Sequence, residues 1–292
     1  MLKNFEVIYH SMSELIIGRE KELILLTKAA LQGIPIIIEG PVGTGKTEMA
    51  KTLALSLGSP FTRVDGDDNL TAMKLKGWYD PPLVLQKGFS IDSFIPGPLT
   101  DAMMNGGLFF FNETNRAPSE TINAVLTALD EKLVTIPQLG TITAQEGFLP
   151  IFTFNPEETV ATNPLPKAFY DRCIWIYVTH QSLAEMIKIV EIRTSSKDDL
   201  LNTISCEIVQ ATLLHPELEH GSSVRGAIQF VKMLSQNQDL DEQHIIELAS
   251  AIHSRKIRVK TTSAKNEKNI IREIVLKILS TYDDPRIIRK KG

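Results

Sequence analysis

The run Gly40-Pro41-Val42-Gly43-Thr44-Gly45-Lys46-Thr47 limits what this chain can fold into more than any other stretch. It follows the apolar residues Ile34 to Ile38 and precedes a helical pattern from Glu48 to Leu57, the strand-loop-helix setting of a phosphate-binding loop. A polyphosphate packs several charges into a small volume, and only bare backbone N–H groups can close around it. Gly40, Gly43 and Gly45 remove the Cβ atoms that would block that approach, and the helix N-terminus adds partial positive charge. Lys46 then reaches the β- and γ-phosphates, and Thr47 offers its hydroxyl to Mg²⁺. The competing reading is a glycine-rich turn with no ligand, which a complete eight-residue pattern with both flanks in place disfavours.

At 292 residues the chain is long enough for one large or two smaller domains. A net charge of -4 argues against a surface built mainly to coat nucleic acid or anionic lipid. Cys173 and Cys206 stand far apart, form no metal or redox motif, and read as small core residues in a reducing compartment. The N-terminus shows no cationic segment followed by an apolar one, and no stretch approaches about 18 uninterrupted apolar residues, so a cytoplasmic protein without a membrane segment is expected. The histidines are scattered without ligand spacing, leaving nucleotide-bound Mg²⁺ as the one expected metal.

Along the chain, residues 1 to 14 show no clear period and read as an arm. Gly18 precedes a helix over Glu20 to Leu31; it either turns the backbone over a flat purine or simply starts that helix. After the P-loop helix, Phe61 to Val64 reads as a strand. Gly77 to Gly97 is rich in proline and aromatics, and Pro82 to Gln86 and Phe89 to Phe94 flank Lys87-Gly88 as a predicted hairpin. Its Trp78, Tyr79, Leu83, Leu85 and Phe94 form either a packed local lid or a surface that meets a partner. A short helix over Pro98 to Met104 leads to Leu108 to Phe111, a fully apolar strand suited to the centre of a parallel sheet. Pro118 to Leu129 reads as a helix, Lys132 to Gln145 as a second hairpin, and Pro150 to Phe154 and Cys173 to Val178 as strands. The loop with Asn163-Pro164 separates those last two. Five strands with helical crossovers predict a largely parallel α/β sheet. From Gln181 the pattern turns to helices alone, giving an expected division into an α/β nucleotide-binding domain, 1–180, and an all-helical lid, 181–292. The basic tail, Arg286 to Lys291, reads as a solvated end.

Hydrolysis of a nucleoside triphosphate asks the protein mainly for positioning and charge neutralisation. Glu113, at the end of an apolar strand, is placed to orient or deprotonate the attacking water; the plainer alternative is an acid at a helix start. Asn112 stands where a Walker-B aspartate would hold Mg²⁺. It keeps an acceptor oxygen of similar shape and loses the charge, and no nearby acid is evident in the same register. Weaker Mg²⁺ retention and slow turnover are therefore expected, with nucleotide binding largely kept.

Gly40 to Thr47, then Phe109 to Pro118 (Phe-Phe-Phe-Asn-Glu-Thr-Asn-Arg-Ala-Pro), then Phe154-Asn155-Pro156, then Leu165 to Arg172, resemble in order and spacing the MoxR group of AAA+ ATPases, over about Ile16 to Leu234. The group has Asp-Glu where this chain has Asn112-Glu113. The resemblance implies an AAA+ P-loop core of five parallel strands with a helical lid, assembled as a ring, usually a hexamer, with ATP and Mg²⁺ between neighbouring copies. It implies Asn155 as first sensor, Arg172 as the arginine finger and Arg225 as second sensor. Each has a plainer alternative: a strand-end cap, a pair with an acid such as Asp171, a solvated helix charge. Arg116 is a weaker candidate to face a neighbour. The two hairpins resemble insertions that line the ring's pore or face. Members typically remodel protein clients, often with a partner carrying a von Willebrand factor A domain. Two rival functions remain: a nucleotide-gated scaffold that scarcely hydrolyses ATP, and a nucleic-acid motor. Lys132 as the one basic residue of the second hairpin weighs against the motor, since a strand-tracking pore uses repeated Lys or Arg with stacking aromatics.

Overall fold

The three central strands of the main sheet are short runs rich in large apolar residues, and there the sheet is covered on both faces. In the computed structural model, which describes residues 4–156, 165–235 and 240–288, five parallel strands form that sheet. They are β1 (Ile36–Glu39), β2 (Phe61–Asp65), β3 (Leu108–Asn112), β4 (Leu149–Phe154) and β5 (Ile174–Tyr177). Their spatial order is β2-β3-β4-β1-β5. Side chains alternate across the sheet. Ile36, Ile38, Phe110 and Ile151 pack on one side with Leu23, Leu26, Met49 and Leu53, while Ile37, Phe109, Phe111 and Phe152 pack on the other with Ile122, Val125 and Phe169. Burial on both faces explains why the central strands β1, β3 and β4 read as apolar runs rather than alternating ones, whereas the edge strands β2 (Phe-Thr-Arg-Val-Asp) and β5 are partly exposed. The chain leaves β1 for the far edge, returns through β3 and β4, and then crosses to β5. The strand order therefore reverses at β1, and the carboxyl ends there are where such sheets bind ligands.

Two compact units make up the chain, Met1–Thr179 and His180–Gly292. The second holds five main helices, Leu183–Thr194, Asp199–Leu213, Val224–Leu234, Glu242–His253 and Glu267–Ser280, around its own apolar cluster. Their starts are chemically marked. Ser182 and Glu185 form a reciprocal capping box, and Asp198, Asp241 and Asn266 each accept a backbone N–H of the first turn. This unit is not purely helical as the sequence predicts. Leu218–His220 pairs antiparallel with Arg258–Val259, and Leu240–Asp241 pairs parallel with Ile287–Ile288. Ladders of two or three residues are too short to leave a readable period.

Two further expectations are corrected. Residues 5–15 are not an arm but a helix, α1 (Phe5–Leu15), whose Ile8 and Met12 are buried and whose Ser11 hydroxyl meets that of Ser56 at 3.0 Å. In the first insertion, the segment predicted as a hairpin arm is instead a helix, Pro81–Lys87, capped by the Asp80 carboxylate with proline in the first turn. Asp-Pro-Pro is a helix start, and proline cannot donate to a ladder. The strands that do pair are Gly77–Tyr79 and Phe94–Pro96, at the base of the segment. The second hairpin forms as predicted, with Leu133–Ile136 against Gly140–Thr143. Asn163-Pro164 and Arg289 to Lys291 lie outside the described residues; Arg286, at the start of the tail, is paired with Asp284 and Asp198. Among the described residues no helix is long and apolar enough to cross a membrane.

Candidate functional site

The chain leaves β1 at Glu39 and turns at Gly40, with φ 154°. A Cβ on Gly40 would lie 2.1 Å from the Val178 carbonyl oxygen, so only glycine passes there. Gly43 and Gly45 take the left-handed conformation, and Gly45 is the N-cap of α3 (Lys46–Leu57). The buried Thr44 hydroxyl donates to the Pro41 carbonyl at 2.9 Å and braces the loop from inside, while Val42 is exposed at its outer side. Lys46 is 9% exposed, and its ammonium donates to the carbonyls of Gly40 and Pro41 at 2.5 and 2.8 Å. Neutral carbonyls are weaker partners than charged phosphate oxygens, so this ammonium can be exchanged onto a phosphate with gain. Thr47 is half-buried in the first turn of α3. A cradle closed to any Cβ at Gly40, a helix N-terminus and an enclosed ammonium fit a polyphosphate chain.

Two residues beside this loop escape a motif-based reading. Glu39 is buried, and that burial pushes its carboxyl up while the Lys46 charge pulls it back. Arg19 follows Gly18 in a second consecutive left-handed position at the start of α2 (Glu20–Leu31). Its guanidinium donates to the Thr44 carbonyl at 3.2 Å and to the Thr179 carbonyl, and it pairs with Glu22. Arg19 thus ties the P-loop to the chain beyond β5. Gly18 lies next to this clamp. The only local signal is a Gly-Arg pair before a helix, because the carbonyl partners are 25 and 160 residues away.

At the end of β3, one strand removed from β1, the Asn112 amide donates through Nδ2 to Asp65 Oδ1 at 2.8 Å. Its Oδ1 accepts the Thr153 hydroxyl at 2.9 Å, and Thr153 Oγ1 in turn accepts the Glu113 backbone N–H at 2.8 Å. The sequence expectation that no acid stands beside Asn112 is therefore wrong: Asp65 is its register partner on β2. Asp65 also pairs with Arg63 at 2.6 Å, and hydrogen bonds from Arg63 and then Asn112 hold its carboxyl below the usual range. Glu113 adopts φ 51°, rare for a residue with a side chain, and its carboxylate pairs with Arg116 at 3.3 Å. Arg116 thus faces Glu113 of its own copy.

Asn155 is buried immediately beyond β4, on the same carboxyl edge as Glu113 and the P-loop. Arg172 is at the other edge. It precedes β5, whose Ile174 N–H bonds the Pro35 carbonyl ahead of β1; the Arg172 side chain pairs with Asp130 at 2.5 Å, donates to the Ala168 carbonyl, and is about one-third exposed. Arg225 is exposed in the first turn of Val224–Leu234, in the second unit. Of the predicted site residues in the first unit, the fold thus gathers Gly40 to Thr47, Asn112, Glu113 and Asn155 on one sheet edge and places Arg172 at the opposite one; Arg225 belongs to the second unit. Cys173 and Cys206 have no part in it; burial pushes both thiols up to about 12.

Comparison with known proteins agrees with this geometry. Residues 35–173 match the AAA domain of the dynein-related subfamily. The Bacillus subtilis (strain 168) protein YojN, itself uncharacterised, is 30% identical over 206 residues, which cover 68% of this chain and 67% of YojN. The gas vesicle ATPase GvpN of Ancylobacter aquaticus is 25% identical over 250 residues, 76% of this chain and 68% of GvpN. A Cytophaga hutchinsonii crystal structure of a candidate ATPase superposes with a TM-score of 0.54 at 23% identity, covering 94% of each chain, a likeness of fold. The P-loop at the strand-order reversal, the five-stranded parallel sheet and these relatives lead to one conclusion: the chain belongs to the AAA+ ATPases, as a member of the MoxR-type, dynein-related AAA family.

Proposed function

We propose that this chain binds ATP with Mg²⁺ in the Gly40–Thr47 cradle, hydrolyses it slowly, and uses the cycle to remodel a protein client as part of a ring of copies. The observation that carries the reading is Glu113, held in a left-handed conformation at the end of a strand separated from the P-loop strand by β4 alone, with its backbone N–H fixed by Thr153. Backbone N–H groups of the loop and the Lys46 ammonium bind the phosphates. Mg²⁺ bound with them would neutralise charge growing on the transferred phosphoryl group, and the Thr47 hydroxyl and Asn112 Oδ1 are the groups to hold it or its waters. Glu113, once turned from Arg116, orients the attacking water and takes its proton. Asn155 adds a polar contact from β4. Arg172 lies at the sheet edge away from its own P-loop, so its guanidinium serves the site of a neighbouring copy; Arg225 reports γ-phosphate to the second unit.

The ring, expected to be a hexamer, its client, a von Willebrand factor A domain partner and a cytoplasmic setting belong to this proposal through the family. Nucleic acid is a poor fit as client, because Lys132 of the second hairpin lies against Gly33 in the body of the unit rather than at the hairpin tip. One observation favours a scaffold that binds ATP without much hydrolysis: the Asn112 amide is engaged by Asp65 and Thr153 and brings no charge of its own. Phosphate release by the assembled protein, with and without candidate partners, separates the two. Mg²⁺-dependent turnover abolished by Glu113→Gln supports the remodeller; turnover no higher than that of Glu113→Gln leaves the scaffold.

A further inference from the structure

We propose that Asn112 and Asp65 form one exchange pair, in which Asp65 is a positioning residue that fixes the direction of the Asn112 carboxamide; the part concerning Mg²⁺ rests on the function proposed above. Four groups are joined in a line across three strands. The Glu113 N–H donates to Thr153 Oγ1, the Thr153 hydroxyl to Asn112 Oδ1, and Asn112 Nδ2 to Asp65 Oδ1, at 2.8, 2.9 and 2.8 Å. Both ends have fixed polarity. A backbone N–H only donates and a carboxylate only accepts, so the hydrogen bonds run one way and position 112 must supply one donor and one acceptor.

Asparagine meets that requirement and an ionised aspartate does not. With Asp65 taking the Nδ2 hydrogens, Oδ1 is held on the β4 side, the side on which β1 and the P-loop lie. An acceptor oxygen, not an NH₂, is what a cation or its bound water needs there. Gly66 strengthens the connection between strand ends. Its N–H donates to the Asn112 carbonyl at 2.8 Å, and a Cβ on it would stand 2.2 Å from the Glu113 carbonyl oxygen. The absent Walker-B charge is therefore no isolated lesion in this chain. An aspartate at 112 would place two carboxylates side by side, with neither able to donate to the other.

The test uses the full-length protein and four variants: Asn112→Asp, Asp65→Asn, the double exchange Asp65→Asn with Asn112→Asp, and Asp65→Leu. Thermal unfolding is recorded without nucleotide, so that this readout does not depend on ATP binding. Asn112→Asp should unfold at least about 4 °C lower than the parent, and the double exchange should regain most of that loss. An Asn112→Asp protein as stable as the parent, or a double variant no better than that single one, overturns the pairing; if Asn112→Asp does not fold, a double variant that also fails does the same. The second readout is the affinity for a fluorescent ATP analogue with Mg²⁺ and with EDTA. In Asp65→Leu, where the amide can turn over, the ratio of the two affinities should fall three- to tenfold while the EDTA value stays. An unchanged ratio overturns the positioning role, whereas a parent that binds no nucleotide in either buffer refutes the proposed function and leaves the stability result standing.

Discussion

The P-loop and the end of β3 lie on the same edge of one sheet, and they differ in how they manage charge. The loop from Gly40 to Thr47 does its work with backbone and local geometry: positive φ at three glycines, a helix N-terminus, and a lysine folded onto its own loop carbonyls. The groups that face the phosphate lie within eight consecutive residues, and Arg19 braces them from outside through the Thr44 carbonyl. The strand end from Asn112 to Glu113 depends instead on side chains brought from elsewhere, Asp65 on one neighbouring strand and Thr153 on the other, 47 and 41 residues away. A site made of backbone tolerates no departure from its sequence pattern. One made of side-chain partners depends on donors and acceptors that match across strands.

The contrast is sharpest for the chemistry step. Replacing Arg172 with Ala should lower turnover by about 10³-fold or more in the assembled protein while leaving nucleotide affinity within about twofold. The Arg172–Asp130 pair is partly exposed, so its loss should cost at most about 1 kcal/mol of stability, and a calorimetric scan of the same variant checks that. If turnover holds, the guanidinium does not act on a neighbour. Glu113→Gln is expected to cost about 10²- to 10³-fold in phosphate release with nucleotide binding kept. A variant that loses binding instead would move Glu113 from the chemistry to the cradle.

A smaller effect concerns the second unit, where His253 is fully buried, shares a hydrogen bond with Ser222 at 2.8 Å, and has its pKa drawn down to about 3 by burial. The folded protein keeps this ring neutral while the unfolded chain takes up a proton near pH 6.5. The stability it contributes is therefore present above that pH and is lost as pH falls toward 3. The slope is about 1.4 kcal/mol per pH unit, or about 2 kcal/mol between pH 6.5 and 5. Denaturant unfolding of His253→Gln across that range should show a flatter dependence; an equal slope would assign the acid sensitivity to other groups. The smallest effect is expected at Leu85, which is 89% exposed on the helix of the first insertion. Leu85→Asp should change stability by less than about 0.5 kcal/mol, so any loss of activity it causes with a client would belong to the client's contact.

What the sequence made legible follows from the same division. The central strands of the sheet and the P-loop are written in contiguous residues, as apolar runs and an eight-residue pattern. The helix Phe5–Leu15 is hidden because Ile8 and Met12 are its two buried residues, while Val7 and Leu15 are exposed apolar residues that blur its period. The helix Pro81–Lys87 was announced by Asp80-Pro81-Pro82, a local signal outweighed by the apolar residues after it. Asp65 and Arg19 could not be found by spacing at all, since each becomes part of the site only through strand order or loop closure. At Asn112 the expectation of an isolated position gives way to a residue paired with Asp65 on the neighbouring strand.

Phosphate gripped by the loop comes before every later step, and equilibrium ATP binding by the parent and by Lys46→Ala, with Mg²⁺ present, tests it most directly. Loss of charge-assisted hydrogen bonds worth about 3 kcal/mol should weaken binding roughly 10²-fold, with thermal unfolding in the absence of nucleotide little changed. Equal affinity in the two proteins would mean that the nucleotide binds elsewhere, and would contradict the account.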